Sequence, residues 1–396
     1  MRTLPGALLI VLTLVAYANN HHTNTLTNKE ISDGWLLLFD GETTFGWTSD
    51  AGNLLVKDGA LVLTGEQRQS SMMPTSRFNS FELTADFQLR GKAPIGAITL
   101  ECGEHGTSRI DLKGSQGSSL RLFVVADQTK DGISSQLTMQ STTGKKWNID
   151  GILIHDGTRK GYCPPLVFSI ETKDAELVLR NIKLRPLRSD SALKLPADLE
   201  PENPKVAGLT SIFNGKDLTG WKVIPDRKSK FSVTRDGELS IKDGPGDIQT
   251  EGQWDDFILQ LDIKTKGNHL NSGVFFRTLP GRFWSGYESQ IRNQWQGEDR
   301  TKPVDFGTGG IYNRQPARKV VSSDNEWFTK TVVAQGNHIA VWVNGYQVSD
   351  FTDQRPPNDN ARKGTKLGEG PISFQGHDPT TDLSFRNIRV ATLPKP

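Results

Sequence analysis

The stretch NSGVFFRTLPGRFWSGYESQ, residues 271–290, holds a first short β-type run, Val274–Arg277, and leads through a glycine- and aromatic-rich loop into a second, Tyr287–Ile291. Alternate side chains of a strand share a face. Phe275 and Arg277 are therefore expected on one face, and Val274 and Phe276 on the other. In the second run Glu288 and Gln290 share a face, while Tyr287, Ser289 and Ile291 share the opposite one. An arginine, a carboxylate and an amide on adjacent strand faces can bind a polyhydroxylated ligand. The same pattern also describes an antiparallel sheet with one wet face.

Working outward, 396 residues leave room for two or three domains with formed cores. A net charge of +2, with both signs interspersed, points to neither nucleic acid nor an anionic membrane as partner. Nine Trp and 39 Gly fit a turn-rich β protein better than a helical one. Residues 1–18 read as a signal peptide, with Arg2, an apolar core from Ala7 to Val15, and Ala16-Tyr17-Ala18 as the cleavage site. That core is too short to span a bilayer, and no later apolar run is long enough. No cysteine follows the cleavage point to carry a lipid. The expected location is secreted or periplasmic, with no integral membrane segment after cleavage. Cys102 and Cys163 are either one disulfide or two buried thiols. Neither has the neighbours of a metal site or an activated nucleophile.

Residues 19–31 are polar and read as a flexible leader. The pattern Leu38-Phe39-Asp40-Gly41 with Gly46-Trp47 returns as Ile212-Phe213-Asn214-Gly215 with Gly220-Trp221, displaced by 174 residues. Phe81, Leu83 and Asp86 match Phe257, Leu259 and Asp262. Gly96 matches Gly273, and Arg180-Asn181-Ile182 matches Arg386-Asn387-Ile388. Such self-similarity reads as a tandem repeat, residues 32–186 and 209–393, separated by a Pro-containing linker at 187–208. Both copies consist of short alternating runs between Gly, Asp and Asn turns, and Asn344-Gly345 is the strongest hairpin signal. The fold class expected is all-β, two jelly-roll β-sandwiches in tandem. From the matched glycine to the matched Arg-Asn-Ile, the first copy spans 84 positions and the second 113, so the second carries 29 more residues. Long loops on a rigid sandwich are where binding usually sits, which places any site in the second copy.

The second copy carries Phe213-Asn214-Gly215-Lys216-Asp217-Leu218-Thr219-Gly220-Trp221 and Asn271-Ser272-Gly273-Val274-Phe275-Phe276-Arg277. These are followed by Gly286-Tyr287-Glu288-x-Gln290-Ile291, Gly310-Ile311-Tyr312, Trp342-x-Asn344-Gly345, Gln375-Gly376-His377 and Phe385-Arg386-Asn387-Ile388-Arg389. In these motifs the copy resembles a bacterial family first described as a domain of unknown function and now linked with 3-keto-disaccharide hydrolysis. The activities linked with that family are 3-keto-glucoside 1,2-lyase and 3-keto-2-hydroxy-glucal hydratase. The resemblance implies a concanavalin-like jelly roll. The first copy keeps only the opening and closing strands and resembles a degenerate member.

The reaction that the resemblance implies starts from a sugar whose C3 ketone acidifies the hydrogen on C2. A base removes that proton, the C1 substituent leaves, and water adds across the conjugated double bond. This needs a base, enolate stabilisation and an acid, but not the two carboxylates of ordinary glycosidases. Glu288 is the candidate base and His377 the candidate acid or second base. Each also has a structural reading, as a paired carboxylate and a satisfied histidine. Arg277 and Tyr312 can donate to the enolate or to ring hydroxyls. Gln290, Asn344 and Gln375 suit sugar hydroxyls, though also turn and sheet hydrogen bonding. Trp284 and Trp295 suit either ring stacking or core packing. No cofactor is expected. The Asp378 and Asp382 spacing is too weak a pattern to assign a structural Ca²⁺. The partners expected are an oligosaccharide or glycoside substrate and an upstream sugar 3-oxidoreductase. The alternative class is a non-catalytic, lectin-like carbohydrate-binding module. An ordinary endo-glycosidase ranks last, because the motifs hold no second carboxylate.

Overall fold

A computed structural model describes residues 23–50, 54–65, 69–78, 81–101, 107–112, 118–124, 137–140, 146–149, 166–187 and 208–393. The signal segment, Cys102, Cys163 and residues 188–207 of the linker lie outside them. Among the described residues no helix is long and apolar enough to cross a membrane.

The chain folds into two β-sandwiches. In the second, one sheet orders its strands Trp221–Val223, Gly246–Thr250, Ser373–Gly376, Ser272–Phe276 and Tyr287–Ile291. In the first, the corresponding sheet runs Trp47–Ser49, Ser70–Pro74, Leu166–Ile170, Gly96–Glu101 and Thr107–Leu112, with the same order of connections. Behind these two sheets lies a single 14-stranded sheet that passes through both halves. Its junction is the parallel pairing of Leu37 with Tyr346, beside a bond from the Leu37 amide to the Gly345 carbonyl at 2.7 Å.

Alternation builds the second sandwich. Ile248, Val274, Phe276, Tyr287, Ile291 and Phe374 point inward against Phe257, Leu259, Leu261, Val332 and Val341 of the large sheet. Burying an apolar side chain of this size stabilises by about 1.5–3 kcal/mol, so the period of two fixes which face is left for polar residues.

Several sequence correspondences recur as geometry. Trp47 Nε1 donates to the Leu38 carbonyl at 2.6 Å, and Trp221 Nε1 donates to the Ile212 carbonyl at 2.9 Å. Asn181 and Asn387 both adopt left-handed backbone, φ 51° and 52°, and each amide donates to an aspartate at 2.6 Å, Asp86 and Asp262 respectively. The match of Gly96 to Gly273 does not hold. Gly96 faces the side chains of Leu89 and Leu112, whereas Gly273 faces Glu288 on the outer side of its sheet. A shift of one residue along a strand exchanges the two faces.

The expected leader is also ordered from residue 23. Asn24 exchanges hydrogen bonds with Asn181, its amide donating at 2.7 Å and its Oδ1 accepting at 2.8 Å. Thr27 and Glu30 form a capping box on the short helix Asn28–Ser32, and Glu30 pairs with Lys183 at 2.7 Å.

The halves share apolar surface. Ile258, Val333, Ala340 and Trp342 project from the outward face of the second half's strands into the core cluster of the first. Trp342 is 1% exposed, meets Phe78 edge-on at 6.1 Å and donates from Nε1 to the Leu37 carbonyl at 3.3 Å. Trp342→Ala should therefore destabilise the whole chain by about 3–5 kcal/mol in urea unfolding. A loss below about 1 kcal/mol would show that the halves fold without this contact.

Candidate functional site

On the outer face of the second sandwich's smaller sheet, Asn271, Phe283, Trp284, Glu288, Gln290, Tyr312, Gln375 and His377 line a cleft of about 280 Å³. Strand register explains the grouping. Phe275 stands opposite Glu288 and also Ser373, Gly273 stands opposite Gln290, and Asp247 stands opposite Gln375. A Cβ on Gly273 would lie 2.5 Å from Glu288 Oε1, so glycine is what lets the carboxylate fold back over its neighbouring strand.

Glu288 is 4% exposed, and burial raises its pKa. Arg362 and His377 act in the opposite direction, and Asp305 adds to the rise. Arg362 donates from Nη2 to Glu288 Oε2 at 2.6 Å. Its guanidinium lies over Trp284 at 4.3 Å, Phe275 at 5.1 Å and Tyr312 at 5.4 Å, and its buried Nε has no hydrogen-bond partner in the protein. Behind Trp284, Asp247 Oδ2 accepts from the Trp284 amide at 3.0 Å. Burial, with the Glu288 charge adding, pushes the Asp247 carboxyl up to about 7.

His377 belongs to a relay. Its Nδ1 lies 2.9 Å from Asp378 Oδ2 and its Nε2 lies 3.3 Å from Asn271 Nδ2. Asn271 Nδ2 also donates to Asp305 Oδ2 at 3.1 Å, which orients the amide as a donor. Nε2 is then the accepting nitrogen, and the ring proton sits on Nδ1 facing Asp378. Burial works against the Asp378 carboxylate, but hydrogen bonds from Thr380 and His377 hold it below the usual range. The cleft region also contains buried acceptors without a partner in the protein, Asp247 Oδ1, Gln290 Oε1 and Gln375 Oε1. Unpaired buried acceptors are costly, and ligand hydroxyls are donors that can satisfy them.

Of the candidates read from the sequence, Glu288, Gln290, Tyr312, Gln375, His377 and Trp284 come together here. Arg277 and Asn344 do not. Arg277 has φ 49°, which breaks the strand alternation just after Phe276, and its side chain is fully buried. It pairs with Asp256 at 2.9 Å and donates to the carbonyls of Asp255, Gly336 and Lys366. Asn344 forms the left-handed corner of a hairpin in the large sheet, where its Oδ1 accepts from the Thr329 amide at 3.1 Å. Trp295 lies under Arg300 at 4.1 Å, away from the cleft lining. Asp378 Oδ1 accepts from Thr380, and Asp382 pairs with Lys242 at 3.2 Å. Among the described residues no cluster of three metal-ligating side chains occurs.

Sequence reasoning finds neither Arg362 nor Asp247, and it gives Asn271 no role. Arg362 sits in a long loop with no spacing signal. Asp247 could have been found by the alternation of Asp247 and Gln249 around the inward Ile248.

Residues 208–391 match the family model described as a 3-keto-alpha-glucoside-1,2-lyase-like domain. Two solved structures of a candidate glycosyl hydrolase from Parabacteroides distasonis are similar. One shares 25% identity, with TM-score 0.38, over 47% of this chain and 94% of that one. The other shares 26% identity, with TM-score 0.38, over 47% and 99%. A carbohydrate-binding module of type CBM66 from Bacillus subtilis is 18% identical, with TM-score 0.33, over 44% of this chain and 96% of that one. No curated protein matches the chain.

Two outcomes follow from this electrostatics. Arg277→Met removes the buried cation that pairs with Asp256 and bonds the carbonyls of Asp255, Gly336 and Lys366, and should cost about 3–5 kcal/mol in denaturant unfolding. A cost below about 1 kcal/mol would show that Arg277 does not hold the neighbouring chain segments. Asp247 has a folded pKa raised above its unfolded value of about 3.9. The advantage of its neutral form is complete below that unfolded pKa and is lost as pH rises through about 7. Asp247→Asn, which keeps an acceptor for the Trp284 amide, should thus gain thermal stability over the wild type between pH 4 and 7 and level off above. A difference in Tm that is flat with pH would contradict the buried, neutral carboxyl.

Proposed function

We propose that residues 208–391 cleave 3-keto-glucosides by C2 deprotonation, 1,2-elimination and hydration of the resulting 3-keto-2-hydroxy-glucal. The observation that carries this reading is one cleft holding a desolvated carboxylate, Glu288, and a carboxylate-steadied imidazole, His377. The family match over the same residues supports it.

In this reading a Glu288 carboxylate oxygen takes the C2 proton. The C2–H electron pair becomes the C1=C2 bond as the C1–O bond to the aglycone breaks. His377, once it has taken up a proton at Nε2 in place of the Asn271 bond and with Nδ1 braced by Asp378, gives that proton to the departing oxygen. Arg362 and Tyr312 are the donors for charge that develops on the C3 oxygen, with Arg362 taking the place that the sequence suggested for Arg277. Hydration reverses the traffic. His377 takes a proton from water as its oxygen adds at C1, and Glu288 returns its proton to C2. Gln290, Gln375 and Asn271 orient ring hydroxyls, and Trp284 borders the mouth of the cleft. A sugar already oxidised at C3 is required, so the class of reaction that supplies the substrate is C3 oxidation by an oxidoreductase.

The rival glycosidase reading gains little from the two further carboxylates near Glu288. Asp305 is engaged by Asn271 and Gln290, and Asp247 lies behind Trp284. Trp284, 48% exposed, is a ring that a lectin-like role could use, but such a role has no need of the buried carboxylate beside it, Glu288, which is 4% exposed.

The test is incubation of the purified protein with a 3-keto-glucoside and with its unoxidised parent, followed by mass spectrometry and absorbance of the glucal. Release of the aglycone from the keto sugar alone is expected. Glu288→Gln should lower kcat by about 10²–10⁴ while substrate binding persists. Binding of both sugars without turnover would assign the domain to carbohydrate binding instead.

A further inference from the structure

One buried ionisable group has no part in that mechanism. Lys330 lies on the strand Trp327–Gln335 and is fully buried, sharing its inward face with Phe328, Val332 and Ala334. Its ammonium crosses the sandwich interior to the opposite sheet and donates to the carbonyls of Ser289 at 3.1 Å and Gln290 at 2.8 Å. These carbonyls follow Glu288 on its own strand. Ser289 also faces inward, between the apolar Tyr287 and Ile291, and is fully buried with Oγ unpartnered. A small residue there leaves room for the ammonium. An apolar side chain of equal length would fill the same space without the desolvation that a buried cation incurs. The lysine therefore needs a reason other than packing.

We propose that Lys330 is a positioning residue for Glu288: its ammonium, enclosed between the two sheets and bonded to the Ser289 and Gln290 carbonyls, places a positive charge behind the strand that presents the carboxylate to the cleft. The consequence for catalysis rests on the reading of Glu288 as the base. Glu288 points to the outer face and Lys330 approaches from the inner one, so the pair is separated by the strand itself. On the cleft side Glu288 also faces Arg362, His377, Asp305 and Asp247. On the interior side Glu288 is the charged group that acts on Lys330. Burial pushes the Lys330 ammonium down to about 7, and the Glu288 charge works in the opposite direction. Below that pH the protonated lysine favours the ionised carboxylate, offsetting part of the rise that burial imposes on Glu288.

The experiment titrates Glu288 by ¹³C-carboxyl NMR in the full chain, as wild type, Lys330→Gln and Lys330→Met. Lys330→Gln keeps a donor for the carbonyls and removes only the charge. The expected result is a Glu288 midpoint raised in both variants, with the acid limb of kcat/KM moving upward by the same amount. Linkage is reciprocal, so Glu288→Gln, which leaves the interior untouched, should lower the Lys330 midpoint read at its ¹³Cε. That second measurement stands if the lysine variants fail to fold. Unchanged midpoints in both directions overturn the proposal. Coupled midpoints in a protein without turnover of 3-keto-glucosides support the electrostatic pairing and count against the reaction alone.

Discussion

A buried carboxylate and guanidinium 2.6 Å apart, Glu288 with Arg362, form the interaction around which the second sandwich is arranged. Neither partner is cheap to bury, and the surrounding structure holds both in place. Gly273 clears the space for Glu288 Oε1, and Phe275, Trp284 and Tyr312 surround the guanidinium. Arg355 gathers the loop that carries Arg362 by bonding to Asp353 and to the carbonyls of Ala361 and Gly364. Tyr287 reaches Asp353 from the core side of the strand that bears Glu288, at 2.7 Å. The strand that bears Glu288 and the arginine loop are thus tied through one buried carboxylate.

The first half contributes to the same arrangement from outside. Arg318 follows the segment that brings Tyr312 to the cleft, and it pairs with Asp40 of the first half at 2.6 Å. Its guanidinium lies between Phe45 and Tyr346, at 4.5 and 4.4 Å. Thr75 of the first half donates to Asp350, whose amide is bonded by Gln315. With Trp342 and the Leu37–Tyr346 junction, these contacts make the first sandwich a brace for the loops of the second. A cation between two aromatic rings with a paired carboxylate is well suited to such a brace, because the rings limit its hydration.

Much of this was legible from residues alone. Period-two alternation in Tyr287–Ile291 put Glu288 and Gln290 on one face, and the structure keeps them there because Tyr287 and Ile291 have a core to fill. Asn344-Gly345 read as a hairpin and is one, with φ 49° and 74°, yet its place in the large sheet takes Asn344 away from the cleft. Arg277 failed for a local reason. A left-handed residue at the strand end turned its side chain into the interior, where Asp256 and carbonyls surround it. The polar leader failed for a non-local one, since Asn24 is held by Asn181, far along the chain.

The chain's own sequence determined the all-β class, the paired landmarks of its two halves and the side of each strand that would meet water. Those features follow from alternation and turn chemistry, which act over a few residues. Only the tertiary structure decided which polar residues meet. Arg362 reaches Glu288 across 74 residues, and His377 reaches Asn271 across 106. Lys330 reaches the Gln290 carbonyl across the sandwich. Such meetings depend on the packing of one sheet on another and on loops whose course no local pattern encodes, so no periodicity could have announced them.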